Sequence, residues 1–413
     1  MKIWRVGVLF LAAAAAAAAG ASCVLGQFEL VGAPDAGADG AVDAGKDGQG
    51  DDGGDGAPPG CQRATAPPPP AQPDPGPDDV WFVVGLKWID FGETKVKNGP
   101  EVGYDLDKFC TCCKAPCPDE GPSCKYPAWA TDGGQCDGPG GRDNSVSEIF
   151  AAAGIFADNL TSESQNKSLL KGNWSLLVRI AQYNGKANDA QVEVAIFPSP
   201  GLGNDDCLGP DPKPKFDGSD RWPVSATALE KISDGGKGDA GACANAPGYD
   251  LSKPKYIDQG AYVNNWVVVA NLPEAGLEIA EEEGTMHVTL AAGFVAGRIE
   301  KQADGYHLLD AGLGGMWKLN LFFETLGKMT SGGKAICTDH SLYPLLKQGI
   351  CSHADILSKV AGPTTPCDSI SFGMALEAVP AQLGRIVEVG QSAGDGGCPP
   401  ETNPGNDNCD TKE

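Results

Sequence analysis

Six cysteines (Cys110, Cys112, Cys113, Cys117, Cys124 and Cys136) crowd into one short stretch of a chain that carries 15 in all. Their CxC and CCx₃C spacings supply thiolates of the kind that hold zinc. Adjacent thiols such as Cys112 and Cys113, however, fit one tetrahedral site poorly and readily bridge in opposite directions. So many cysteines are out of place in a reducing cytosol, and in an exported chain they read as disulfides. The expectation is a loop-rich fold whose loops are stapled. Cys207, Cys243, Cys337, Cys351, Cys367, Cys398 and Cys409 extend the framework. A Cys207–Cys243 pair would close the irregular 200–250 loop, and Cys337, Cys351 and Cys367 frame a C-terminal helix. Which cysteine joins which is otherwise not written in the sequence.

The N-terminus supports export. Lys2 and Arg5 precede a short alanine-rich apolar stretch, and Gly20-Ala21-Ser22 offers the small residues of a cleavage site, so residues 1–22 read as a signal peptide. Ala21-Ser22-Cys23 resembles the end of a bacterial lipobox, with Gly20 where the pattern prefers Leu. That resemblance implies acylation of Cys23 and attachment to a membrane; plain cleavage after Ser22 is the other reading. Residues 23–79 read as the anchor cysteine followed by a tether. Residues 31–80 contain 11 Gly, 10 Pro and 10 Asp without apolar periodicity, a composition unable to offset its ordering entropy. As a coil, that segment would separate its ends by roughly 40 Å. The formal charge of −24 argues against nucleic acid, which needs a basic face.

From Val80 the texture changes to paired β-rich runs. Residues 80–89 form the natural first strand. Residues 174–183 and 191–197, then 261–263 and 266–270, then 286–301 and 306–309, flank turn sequences such as Asn264-Asn265 and Asp304-Gly305. Residues 369–378 close as a strand expected beside the first. Ser145 with Glu148 marks a helix start; residues 159–171, 319–328 and 341–348 also read as helical. Few helices between hairpin-linked strands predict a mainly β fold, an antiparallel, jelly-roll-like β-sandwich with peripheral helices and disulfide-stapled loops. It would span 80–394, with a cysteine-rich insertion at 103–144 and a tail at 395–413.

Within the insertion, Asp105, Asp107, Asp132, Asp137, Asp143 and Asn144 stand on Gly-rich backbone. Calcium takes six to eight hard oxygens, so Asp105, Asp107, Asp137, Asp143 and Asn144 form a candidate calcium set, without EF-hand spacing. The competing reading is turn chemistry, with Asp and Asn bonding their own backbone. Arg142 is placed to pair with one of these carboxylates.

Catalytic signals are weaker. Gly390-Gln391-Ser392-Ala393-Gly394 matches a nucleophile elbow, but Asp395-Gly396-Gly397-Cys398 cannot open the required helix and no histidine follows. His287, His307, His340 and His353 read as structural, although Asp339 and Asp355 stand near the last two. A pair of carboxylates for glycoside hydrolysis needs spatial proximity, which sequence does not give. Trp88, Trp129, Trp174, Trp222, Trp266 and Trp317 read as core, with an exposed aromatic face for sugar stacking as the alternative.

The order of features resembles uncharacterised cysteine-rich secreted proteins and lipoproteins of myxobacteria. It rests on Gly103-Tyr104-Asp105-Leu106-Asp107 before Cys110-Thr111-Cys112, and on Cys136-Asp137-Gly138 with Gly141-Arg142-Asp143-Asn144. Residues 172–179 and Ile336-Cys337-Thr338-Asp339 continue it. The resemblance covers most of residues 80–395, implies an envelope or extracellular location and attaches no activity. The functional expectation is therefore an outer-membrane or surface lipoprotein with a non-catalytic binding domain for glycan or envelope components. An exported polysaccharide hydrolase and a purely structural envelope protein are the alternatives.

Overall fold

Alternating apolar residues build the structure's main element. In the computed structural model, β1 (Val80–Asp90) sends Phe82, Val84 and Leu86 into one apolar cluster and Val83 into another on the opposite face, the period-2 signature of a strand buried on both sides. The helices α1 (Val146–Ala153) and α2 (Ser162–Lys171) follow. Next come β2 (Ser175–Tyr183), β3 (Asp189–Ser199), β4 (Arg221–Ser225), β5 (Leu229–Lys231) and β6 (Tyr249–Pro254). A meander of β7 (Ile257–Asn264), β8 (Val267–Glu281), β9 (Gly284–Gln302) and β10 (Gly305–Lys318) leads to α3 (Leu319–Leu326). The chain ends with β11 (Thr330–Ser331), β12 (Lys334–Ala335), α4 (Tyr343–Ser352), β13 (Ser369–Pro380) and β14 (Gln382–Val387).

The structure describes residues 63–93, 101–112, 120–129, 136–153, 160–232, 243–281, 284–331, 333–359, 362–388 and 397–410. The chain divides into Met1–Asp55 and Gly56–Glu413, and every described residue belongs to the second unit. The signal segment, Cys23, Cys61, Cys113, Cys117, Asp132 and the 390–394 motif lie outside the described residues.

The mainly β, antiparallel, disulfide-stapled class is what the structure has, but the main sheet closes on itself. Eight strands run β1-β13-β10-β9-β8-β7-β3-β2 and return to β1 as a closed barrel, so the two packed layers of a sandwich give way to one continuous wall. Each barrel strand lies beside the preceding barrel strand in the chain, with every pair antiparallel. Closure removes the exposed edges that an open sheet leaves. Register shifts at Leu86/Trp88, Leu309/Gly312 and Val192/Val194 supply the local bends that closure needs.

Val178, Ile180, Val194, Val268, Leu277, Val288, Leu313, Phe372 and Met374 belong to the single cluster that fills the barrel. Arg298 and Glu300 point outward instead, where Arg298 pairs with Asp310. On this stretch of β9 the apolar side faces in and the charged side out, the reverse of a lipid-embedded barrel, whose outer band is apolar. Among the described residues, no helix is long and apolar enough to cross a membrane. Aromatic rings close both ends. Phe91 meets Phe150 and Phe372 at the helical end, and Phe82 stacks on Tyr306 beside Tyr183 at the other. A second layer, with β14 pairing parallel to β4, covers β1–β3 through Val83, Leu177, Phe197 and Trp222.

Five disulfides join described cysteines: Cys112–Cys136, Cys124–Cys367, Cys207–Cys243, Cys337–Cys398 and Cys351–Cys409. The Cys207–Cys243 pair is the one expected from the 200–250 loop. Residues 63–79, assigned to the tether from composition, are held against the barrel. Tyr262 Oη donates to the Pro67 carbonyl, Asn264 Nδ2 to that of Pro68, and Asp74 accepts from Asn188. Proline fixes backbone angles in advance, so this segment loses less freedom on docking than its Gly/Pro content suggests.

Candidate metal centre on the outer wall of the barrel

The cysteine-rich segment lies against β9, β10 and β13, and glycines let it approach. Tyr104 packs over Gly312 and Gly314, where a Cβ at Gly312 would stand 2.8 Å from the phenol oxygen, and meets Phe294 edge-on. Tyr104 pairs with Asp143 in an isolated antiparallel bridge, its carbonyl accepting from Asp143 N at 3.0 Å. That pairing sets Asp143 against the segment carrying Asp105 and Asp107. Gly141, at φ +70°, brings the returning chain so close that a Cβ would stand 2.9 Å from Cys110 Sγ. The Cys112–Cys136 bridge delivers Asp137 to the same place.

One oxygen of each carboxylate is held by a donor. Asp143 Oδ2 accepts from Leu106 N at 2.6 Å, Asp107 Oδ1 from Phe109 N at 2.8 Å, and Asp137 Oδ2 from Thr111 N at 2.6 Å. Asp105 Oδ2 accepts from Arg63 at 2.8 Å, and the same guanidinium reaches Glu120 at 2.7 Å. Asp105, Asp107 and Asp143 each present an oxygen within 4.8 Å of the others. Asp143 and Asp105 are buried, and Asp105 Oδ1 lacks a hydrogen-bond partner.

Negative charge gathered away from water disfavours the ionised forms of Asp107, Asp137 and Asp143. Burial, followed by Asp107, Asp355 and Asp137, pushes Asp143 well above the usual carboxylate range. Burial, with Asp107 and Asp355 adding to it, pushes Asp137 up to about 7. Asp107 is raised for the same reason, against the hydrogen bond that Phe109 N donates to it. Tyr126 is raised by burial and then by Asp355, Asp137, Asp107 and Asp143. These carboxylates are thus close enough to act on one another.

The expected set is largely brought together. Asp105, Asp107 and Asp143 meet, Asp137 lies beside them, and Asn144 is engaged elsewhere. Its Nδ2 donates to the Phe91 carbonyl and its Oδ1 accepts from Gly373 N, both at 2.8 Å, so it stitches β1 to β13 and leaves the ligand set. Arg142 pairs with Glu101 rather than with the cluster. Sequence reasoning missed Ser123, whose buried hydroxyl stands near Asp107 without the geometry of a hydrogen bond. It also missed Asp355, which burial pushes up to about 6 against the hydrogen bonds from Ser371 and Ser145. Asp355 Oδ1 accepts from Ser371 N, and Oδ2 accepts from the hydroxyls of Ser145 and Ser371. No local signal pointed to either, because Ser123 is an uncharged residue among the cysteines and Asp355 comes from a separate segment.

The histidines have structural partners. His353 lies 2.6 Å from the Gly349 carbonyl and 3.5 Å from Glu148, His307 lies 2.9 Å from Asp304, and His340 accepts from Leu342 N. His287 lies 3.5 Å from Glu278. Trp174, Trp222 and Trp317 are core residues, whereas Trp81 and Trp266 are exposed by 69% and 43%. No protein-family model, curated protein or solved structure matches the chain.

Proposed function

We propose that this is an exported lipoprotein, held at the outer membrane or cell surface through acylated Cys23, whose barrel is a non-catalytic glycan-binding domain. The observation that carries the reading is the placement of Trp266. It occupies the two-residue turn between β7 and β8 with φ +68° after Asn265 at φ +50°. A bulky residue there costs backbone energy that Gly or Asn avoids, and the result is an exposed indole at the rim. Trp81 stands at the same end, because Val80 pairs with Tyr183 and Asp189 with Val263. Indole faces stack on the apolar faces of sugar rings while hydroxyls stay wet. A hydrolytic reading needs a carboxylate pair in an accessible groove, whereas Asp105 and Asp143 are buried.

A glycan array probed with the disulfide-intact protein tests the binding reading. Signal on envelope or matrix polysaccharides should fall by about tenfold in Trp266→Ala and Trp81→Ala, in line with aromatic anchors at other interfaces. Silence on every polysaccharide, or signal indifferent to both substitutions, overturns it. Incorporation of labelled fatty acid that is lost in Cys23→Ala tests the anchor separately.

A further inference from the structure

We infer that Asp105, Asp107 and Asp143 bind one calcium ion on the outer wall of the barrel, with Asp137 supplying charge beside it. The inference is independent of the glycan reading. Two oxygens bound to one calcium at 2.3–2.6 Å lie no more than about 5 Å apart. The 4.8 Å limit within which the three carboxylates offer their atoms meets that condition.

A cluster of acids alone would not be enough, since carboxylates gather on many surfaces. Two buried oxygens supply the independent indication. Asp105 has a fully buried side chain, and its Oδ1 is unpartnered although Arg63 holds Oδ2. Ser123 Oγ is likewise buried beside Asp107 without a hydrogen bond of proper geometry. Buried polar atoms are nearly always paired, and leaving one unpaired costs about 1–3 kcal/mol. A cation accepts both an anionic and a hydroxyl oxygen, so one ion meets both needs; a further buried donor or a salt bridge would meet only one.

The donor set selects the ion. All candidate ligands are hard oxygens, and no thiol or imidazole stands among them, which suits calcium or magnesium rather than zinc. Magnesium demands a near-ideal octahedron at about 2.0–2.1 Å and gives up its waters reluctantly. Carboxylates drawn from an irregular loop, with Asp143 held by Leu106 N and Asp107 by Phe109 N, suit the flexible coordination of the larger ion. Arg63 is the one cation bonded to a ligand among the described residues, and it faces the other oxygen of Asp105. It therefore holds Asp105 in place and leaves the buried Oδ1 to the ion.

The test uses the full, disulfide-intact protein stripped with a chelator. Calorimetric titration with Ca²⁺ should give one ion per chain with a Kd near the ~10⁻⁴–10⁻³ M of extracellular modules, and Mg²⁺ should bind at least about tenfold more weakly. Terbium luminescence, sensitised through Tyr126 and quenched by added Ca²⁺, reads the same site without a variant. Asp107→Asn and Asp137→Asn should each weaken Ca²⁺ at least about tenfold, while Asp217→Asn, on an exposed turn, should leave it unchanged. Near-ultraviolet circular dichroism separates loss of binding from loss of fold. No Ca²⁺ uptake by the folded wild type, equal response to Mg²⁺, or undiminished binding in folded Asp107→Asn overturns the inference.

Discussion

Inside the barrel, Val84, Ile180, Val194, Leu313 and Phe372 belong to one apolar cluster. A few ångströms away, on the outer face of β10 and β13, the cysteine-rich segment buries Asp105, Asp143 and Asp355. One side of the same wall is held by apolar area removed from water, at roughly 25 cal/mol per Å². The other is held by covalent links, charge-assisted hydrogen bonds and glycine-permitted contact. The flank adds contacts such as Tyr104 on Phe294, set against the ordering entropy of its loops. Bridges such as Cys124–Cys367, with a sequence separation of 243, lower that entropy by restricting the unfolded chain. The inside is thus stabilised in the folded state and the flank largely through the unfolded one.

That contrast breaks first in the interior. Phe372→Ala should remove about 3–5 kcal/mol of stability, the usual cost of an emptied aromatic site, read as a lower denaturant midpoint. Ca²⁺ affinity of the folded fraction should stay within about twofold, since the ring faces away from the carboxylates. Next in size, Cys124→Ser with Cys367→Ser should cost about 2–5 kcal/mol and should also weaken Ca²⁺, because Ser123 is the neighbour of Cys124. If the doubly substituted protein bound Ca²⁺ normally, the flank would not depend on its staple. Asn144→Ala comes third, at about 1–3 kcal/mol, because it strands the Gly373 N–H and the Phe91 carbonyl.

Legibility in the sequence follows the same division. The strands were readable because burial imposes a period of two, and residues 80–89 and 369–378 were rightly expected to be neighbours. Closure was not readable, since it depends on pairings such as β3 with β7 and on shifts of register that no local pattern marks. One turn moved by a residue. The Asn264-Asn265 signal placed Asn at both left-handed positions, yet Asn264 pairs with Val267 and the turn is Asn265-Trp266. In the candidate site, Asp105, Asp107, Asp137 and Asp143 were legible because alternating acids on glycine-rich backbone leave oxygens with few local partners. Asn144 misled because an amide serves equally well as a ligand or as a link between strands. Arg63 and Asp355 were invisible for the reason that the flank folds at all, namely contacts over long separations.

Smaller effects sharpen the comparison through pH. Asp355 is raised to about 6 by burial, against an unfolded value near 4. A group shifted upward gives stability that is fully present below the unfolded value and is lost as pH rises through the folded one. Calcium-free protein should therefore lose stability between about pH 4 and 6 through this group, and Asp355→Asn should flatten that slope in denaturant titrations at each pH. An unchanged slope in the variant would assign the dependence to other groups.

His353 gives the smallest effect, and it belongs to neither face of the wall. Burial pulls its pKa down, but Glu148, the Gly349 carbonyl and the charge of Asp355 outweigh that and leave it raised. The imidazolium then stabilises the folded state fully below an unfolded value near 6.5, and the contribution fades as pH climbs past the folded value. Glu148 is half exposed and stands 3.5 Å away, so water screens the pair and the gain is at most about 1 kcal/mol. This window lies above that of Asp355, which makes the two separable. His353→Asn should remove a shallow decline above about pH 6.5 and leave the lower slope intact. A loss of both slopes would tie α4 to the carboxylate flank through Asp355, and the division between core and flank would then run through that helix.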